Sequence, residues 1–175
     1  MSNQELWNNW DKEQHYGEMF FKRATGELDE MESSKSVTDL IKGFYKAGDK
    51  LLDVGCGAGH YLRSLKTGLG DDLVDYTGID PTAYYIGLAQ KAALSLSGGE
   101  GAKFRVGNIF SIPFEDNSFD IVMCNNVVMH LPPEKIQQAF DELLRVSKGV
   151  VVIRAMFGVR NYLVREILSD GDFNP

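Results

Sequence analysis

The sequence predicts an α/β fold: an open, doubly wound, mostly parallel sheet with helices on both faces. Two observations carry this. Short apolar runs of strand type alternate with stretches of helical periodicity along most of the chain. The first such run, Leu51 to Val54, ends in closely spaced glycines at Gly55, Gly57 and Gly59, ahead of a helical stretch. The composition suits one globular domain, with 175 residues, 43% apolar and 25% charged.

The elements follow in order. Ser33 to Ala47 predicts a helix, with Val37, Leu40, Ile41 and Phe44 on one buried face. Gly48 and Asp49 turn the chain into a strand at Lys50–Val54. After the glycines, Tyr61, Leu62 and Leu65 mark a helix. Val74 to Ile79 is the second strand, ending at Asp80-Pro81. Ala89, Ala92, Ala93 and Leu96 face the core from the next helix, which Gly98-Gly99 stops. Ala102–Val106 and Phe119–Cys124 are the third and fourth strands. Pro132-Pro133 opens a helix with the stripe Ile136, Ala139, Phe140, Leu143 and Leu144. Val150–Ile153 is the fifth strand, and its apolarity predicts burial on both faces. Ahead of these, residues 1–47 form a helical cap or lid rich in aromatics, and 48–175 form the sheet domain.

Charge and cysteine content narrow the function. A net charge of −7 disfavours a nucleic-acid backbone as partner. No apolar run approaches a membrane span, and the polar N-terminus does not resemble a signal peptide. The two cysteines, Cys56 and Cys124, lack metal-ligand spacing and read as reduced, buried fillers, so a cytoplasmic location is expected.

The chemistry concentrates at Leu51-Leu52-Asp53-Val54-Gly55-Cys56-Gly57-Ala58-Gly59. A strand running into such glycines lets backbone approach a ligand without Cβ atoms in the way. The helix that follows offers unpaired N–H groups and the positive end of its dipole. That suits a phosphate or a carboxylate. A dinucleotide fingerprint requires a third glycine at position 60, where His60 stands, so a nicotinamide oxidoreductase is a lesser alternative.

The G-x-G-x-G pattern preceded by Asp53 resembles the first motif of class I S-adenosylmethionine-dependent methyltransferases, in particular small-molecule enzymes with methyltransferase domains of type 11 or 12. The resemblance runs from about Lys50 to Ala155 and implies a Rossmann-like fold. It implies S-adenosyl-L-methionine as cofactor, S-adenosyl-L-homocysteine as product, and Asp53, Gly55, Cys56, Gly57 and Gly59 as cofactor-binding. Tyr76-Thr77-Gly78-Ile79-Asp80 resembles the second motif, with Asp80 on the ribose hydroxyls beside Pro81; the alternative for Asp80 is a helix N-cap. Val106 to Phe114 resembles the third motif. Asn108 stands where the family has an acid for the adenine amino group, and Ile109 would offer its N–H and apolar surface to the ring. Phe119 to Pro132 resembles the fourth, with Asn125, Asn126 and Val127 beneath the reactive end of the cofactor. Asn125-Asn126-Val127-Val128 departs from the tetrad of nucleic-acid and protein amino-methyltransferases, so a small-molecule acceptor is implied. Phe140 to Val146 resembles the helix before the fifth strand.

Methyl transfer from a sulfonium needs alignment more than a protein nucleophile. His130 is the candidate general base, against a plain role at a helix start, and His60 reads as packing or solvent-facing. Among Trp7, Trp10, His15, Tyr16, Phe20, Phe21 and Arg23, the residues Tyr16 and Arg23 are the candidates for the cofactor carboxylate or the substrate. The alternative is an aromatic helix packed on the sheet. Past Ile153, Tyr162, Leu163, Glu166 and Ile167 fit one helix, and the C-terminal strand pair of the family is not evident. A bare apolar edge at Val150–Ile153 would call for a covering helix, a second copy making a homodimer, or a longer parent chain. A non-catalytic cofactor-binding module, or a fragment, is therefore the alternative function.

Overall fold

A computed structural model describes residues 10, 14–70, 75–155, 166–167 and 173–174. Two helices, α1 (Gln14–Thr25) and α2 (Glu32–Lys42), precede β1 (Lys50–Val54), α3 (His60–Leu69), β2 (Asp75–Asp80), α4 (Ala83–Ser95), β3 (Lys103–Val106), β4 (Phe119–Asn125), α5 (Ile136–Val146) and β5 (Ser147–Arg154). The strands form one five-stranded parallel sheet in the order β3-β2-β1-β4-β5. The chain winds outward through β2 and β3, then returns to the other side of β1. The crevice between the carboxyl ends of β1 and β4 is therefore the switch point where such sheets bind ligands.

Alternation along the strands sorts the side chains into two cores. Leu51, Tyr76, Ile121, Met123 and Val152 pack with Val37, Ile41, Tyr61, Leu62 and Leu65 on the face that carries α2 and α3. Leu52, Val54, Ile79, Val122 and Cys124 pack with Ala139, Leu143 and Val146 of α5 on the other. Four of the five β1 residues are buried, which is why its run is apolar on both faces apart from Asp53. Arg145 of α5 fastens the loop before β4. Its guanidinium donates to Ile112 O (2.9 Å), Phe114 O (2.8 Å), Asp116 Oδ1 (2.9 Å) and Glu142 Oε1 (2.6 Å). Glu142 Oε2 in turn accepts from Ile112 N–H at 2.6 Å. The paired guanidinium holds the Glu142 carboxyl below the usual carboxylate range.

Several expectations are corrected. Leu40 and Leu144 lie outside their helices' core stripes, at 55% and 63% exposure. In α2 the buried face is completed by Ser34 and Thr38, one turn apart, with Thr38 Oγ1 donating to Ser34 O at 2.9 Å. A sequence stripe fixes a helix face only to within about one position, and small hydroxyl residues fit where the backbones approach. In β5 only Val152 among the four predicted core residues is buried; Val150, Val151 and Ile153 are half-exposed. The reason is position: among the described residues β5 ends the sheet order, with β4 as its one strand neighbour. Glu166 and Ile167 are not helical. They form β6 (Glu166–Ile167), antiparallel to β7 (Phe173–Asn174) in a separate two-stranded ribbon. Tyr162, Leu163 and Trp7 lie outside the described residues.

Candidate functional site

The glycine loop turns back on β2. Gly55 N–H and Cys56 N–H both donate to Ile79 O, at 2.8 and 3.0 Å, and Gly57 N–H donates to Asp80 Oδ2 at 3.0 Å. Gly55, Gly57 and Gly59 all have positive φ, at 77°, 53° and 80°. The reasons differ. A Cβ on Gly55 would stand 2.3 Å from Val127 Cγ2, whereas one on Gly57 would meet nothing within 4 Å. Gly55 is needed for packing; Gly57 keeps space open. Asp80 closes the loop from β2 and accepts Thr82 N–H on Oδ1 at 2.9 Å, so it caps the α4 approach as well.

Above this loop lies a cleft of about 930 Å³, counting its open mouth. Gly55, Gly57, Asp80, Pro81, Ile109, Asn125, Asn126, Val127 and His130 line it, so the structure gathers nine predicted residues at one place. Trp10, Phe20, Val54, His60, Tyr61, Tyr85, Gly107 and Leu131 complete the walls. A signal for His60 and Tyr61 existed. They open the helix after the glycine loop, and anything resting on that N-terminus must pass them. Tyr85 carried none, because its place depends on α1 crossing α4. At that crossing a Cβ on Gly17 would lie 2.6 Å from Tyr85 Cε1, so glycine permits the approach.

Other predicted residues fall elsewhere. Tyr16 is 40% exposed and packs its ring against His15 and Trp10, outside the cleft walls. Asn108 is exposed, and its Oδ1 accepts Phe110 N–H at 2.9 Å. A short amide side chain bonding its own backbone two residues on is an Asx turn, which turns the oxygen expected to face adenine toward the chain. The Cys56 and Cys124 thiols are buried and free. Burial pushes both up, with the Asp80 and Asp53 charges adding to it at Cys56 and the Asp53 charge at Cys124, so neither is a thiolate nucleophile. Gly59 is packed against Ala89 and Phe104 rather than on the cleft.

Asp53 lies beneath the cleft on the α3 face, 1% exposed, and accepts Tyr76 Oη–H at 2.7 Å. Burial pushes its carboxyl up to about 7; the Tyr76 bond opposes this and the Asp80 charge adds to it. At the cleft's other lip, Asn126 adopts φ 58°. Its N–H donates to Arg154 O at 2.7 Å, and Arg154 Nη1 donates to Asn126 Oδ1. The Asn125 amide is buried with neither Oδ1 nor Nδ2 partnered among the described residues. His130 meets Trp10 edge-on, with ring centroids 4.9 Å apart.

His60 and Arg23 stand apart electrostatically. The His60 ring stacks on Phe20 at 4.7 Å and 18°, and neither of its nitrogens has a partner among the described residues. Burial, then the Arg23 charge, lowers the imidazole to about 3. Arg23 Nε and Nη1 are likewise buried and unpartnered. Among the described residues, no cluster of His, Cys, Asp or Glu is arranged to hold a metal, and no helix is long and apolar enough to cross a membrane.

The sheet order, the glycine loop tied to an acid at the end of β2 and the cleft at the switch point define a Rossmann-like methyltransferase core. The chain belongs to the methyltransferase-domain family, whose pattern matches residues 52–153, and S-adenosyl-L-methionine is the methyl donor that goes with this domain. It is 32% identical over 127 residues to a sterol 24-C-methyltransferase of Gibberella zeae, covering 73% of this chain and 31% of that one. Among solved structures, the YcgJ protein from Bacillus subtilis is 30% identical with a TM-score of 0.56, covering 67% of this chain and 47% of that one. The cyclase SpnF is 27% identical with a TM-score of 0.57, covering 65% and 41%. The chain thus spans about a third of the length of the sterol methyltransferase.

Proposed function

We propose that this chain binds S-adenosyl-L-methionine in the switch-point cleft and directs its methyl group to a small-molecule acceptor. The observation that carries the reading is the Gly57–Asp80 bond. It sets a buried carboxylate and a glycine with open space at its Cβ position side by side on one cleft wall. The residues present fit the cofactor. Asp80 would offer lone pairs to ribose hydroxyls, Gly107 and Ile109 an apolar wall, and Asn125, whose amide is unpartnered among the described residues, a polar group to the donor.

The cofactor supplies a methyl group already activated on a sulfonium. What remains for the chain is alignment and exclusion of water. Asn125 to Val127 form the floor, Arg154 fixes Asn126 in its left-handed turn, and Trp10 and Phe20 close the cleft from the N-terminal side. For an acceptor that must lose a proton, His130 is the base we assign. His60 is the poorer one, since an imidazole lowered to about 3 does not hold a proton near neutrality.

The likeness to the cyclase SpnF favours a second reading, in which the same cleft binds the cofactor without methyl transfer. The test is calorimetry with S-adenosylhomocysteine followed by turnover of methyl-labelled donor against a panel of small hydroxyl, amine and carbon acceptors. Binding with label transfer to a small molecule supports the first reading. Binding with no transfer, or transfer only to peptide or nucleic acid, overturns it.

A further inference from the structure

Arg154 ends β5, on the far side of β4 from the glycine loop. Its backbone oxygen and Nη1 hold Asn126. No carboxylate pairs with it among the described residues, whereas Arg63 is paired with Glu30 and Arg145 with Glu142 and Asp116. A guanidinium has only donors, and one bond to a neutral amide leaves its charge uncompensated. The strand register shows what stands beside it. Arg154 pairs with Asn125 of β4 at one level, so the two side chains leave the same face of the sheet, about 4.8 Å apart at the backbone. That face carries α3, because Asn125 and Arg154 each lie two residues beyond a member of its core, Met123 and Val152. Asn125 is 5% exposed, and neither end of its amide has a partner among the described residues. Tyr61 of α3 borders the same place. Burial raises its hydroxyl; the Asp53 charge adds to this and the Arg154 charge opposes it, so the guanidinium lies within electrostatic reach of the ring. Asn125, Asn126 and Tyr61 all line the cleft. An uncompensated cation and an unsatisfied buried amide thus stand side by side at its β5 end.

We propose that Arg154, with Asn125 beside it, binds an acidic group, a carboxylate or a phosphate, on the methyl acceptor. This rests on the cofactor reading given above and narrows its acceptor to a small anionic molecule. The planar fork of a guanidinium matches either group with two parallel bonds, and the Asn125 amide can add a third donor. The acceptor is favoured over the donor as the source of the charge by position. Gly57 and Asp80, on which the cofactor reading rests, follow β1 and end β2. Arg154 lies two strands beyond β1, about 10 Å away at the backbone. The Asn125 amide has two ends, so a bond from one of them to the donor leaves the other for the acceptor. Asp53, the acid on the same face of β1, is tied to Tyr76 and pushed up to about 7 by burial, so its repulsion of an anion is weakened near neutrality. Trp10, Val127 and Leu131 on the cleft walls favour an apolar body behind the acidic group.

The test reads binding to protein loaded with S-adenosylhomocysteine and does not depend on turnover. Calorimetric titrations use matched pairs: 4-hydroxybenzoate against 4-hydroxybenzamide, octanoate against octanamide, and phenyl phosphate against phenol. Wild type is expected to bind the acid of at least one pair about 10-fold or more tighter than its neutral partner. The pair that shows the preference tells carboxylate from phosphate. Arg154→Gln should weaken that acid about 10- to 100-fold. Arg154→Lys, which keeps the charge and loses the fork, should weaken it about 3- to 10-fold. Neither should move the neutral partner by more than about 2-fold. The proposal is overturned if no acid binds, if the neutral partners bind as tightly, or if the preference survives in Arg154→Gln. It is overturned as well if Arg154→Gln weakens S-adenosylhomocysteine itself about tenfold, since the guanidinium would then serve the donor. In each of these cases the cofactor reading stands. If wild type does not bind S-adenosylhomocysteine, both fall. Should Arg154→Gln fail to fold, Arg154→Lys decides the matter alone.

Discussion

In the glycine loop the chain satisfies itself. Gly55 and Cys56 N–H bond to Ile79 O, Gly57 N–H bonds to Asp80, and Asp80 also holds Thr82 N–H. Under α1 it does not: Arg23 and His60 each bury polar atoms with no partner among the described residues. Both regions border one cleft and both are packed. The loop is a scaffold bonded within itself, whereas the roof leaves buried polar groups open to a ligand. Substitutions in the loop should therefore act first on stability, and those in the roof first on binding.

Gly55→Ala should give the largest effect. The left-handed backbone costs a residue with a Cβ about 1–2 kcal/mol. Displacing Val127, whose Cγ2 lies 2.3 Å from the built Cβ, adds about 1–3 kcal/mol of overpacking. Gly57→Ala should suffer the backbone term alone, since no atom lies within 4 Å. Chemical denaturation of the two variants checks the difference. Equal losses would mean that Gly55 is not a packing residue.

Asp80→Ala comes next and should show in both properties. Two backbone N–H groups lose their acceptor, at about 1–3 kcal/mol for a buried group left unsatisfied. Affinity for S-adenosylhomocysteine should fall about 10- to 100-fold if the same carboxylate meets the ribose. A variant that is destabilised yet binds as wild type would confine Asp80 to the scaffold.

How much of this was legible beforehand follows the same division. The strands, the glycine loop and Asp80 are local patterns, readable because alternation, helical spacing and glycine spacing are properties of adjacent residues. The roof is tertiary. Nothing near Arg23 or Phe20 in sequence indicates that His60 lies beneath them, and Tyr85 becomes a wall only because Gly17 lets α1 approach. Leu40 and Leu144 failed because helical periodicity does not distinguish a stripe's centre from its margin. The reading of β5 failed because apolarity was taken for two-sided burial, whereas among the described residues it stands at the end of the sheet with one neighbour.

Asp53 tests the scaffold from beneath. Its carboxyl is pushed from 3.8 up to about 7, chiefly by burial. The native state therefore binds more protons than the unfolded chain between these values. Stability from this group is present at the lower end and declines as pH rises toward 7, levelling off above it. Asp53→Asn removes that dependence. Denaturation midpoints at about pH 5 and about pH 8 should show the variant gaining on wild type at the higher pH. A difference independent of pH would mean that the native carboxyl titrates as it does in the unfolded chain.

Asn108 should give the smallest effect, and it separates the motif's resemblance from its geometry. By resemblance the side chain faces adenine. In the structure its oxygen accepts Phe110 N–H at 2.9 Å at an exposed turn, outside the cleft walls that Gly107 and Ile109 line. Removing a part-buried turn bond of this kind costs about 0.5–1.5 kcal/mol, at the lower end where water can replace the acceptor. Asn108→Ala should thus lose a little stability and change affinity for S-adenosylhomocysteine by no more than about 2-fold. A loss of tenfold or more would put the amide back on the adenine. The turn seen here would then belong only to the ligand-free loop, and the third-motif wall would join the roof as a region completed by its ligand.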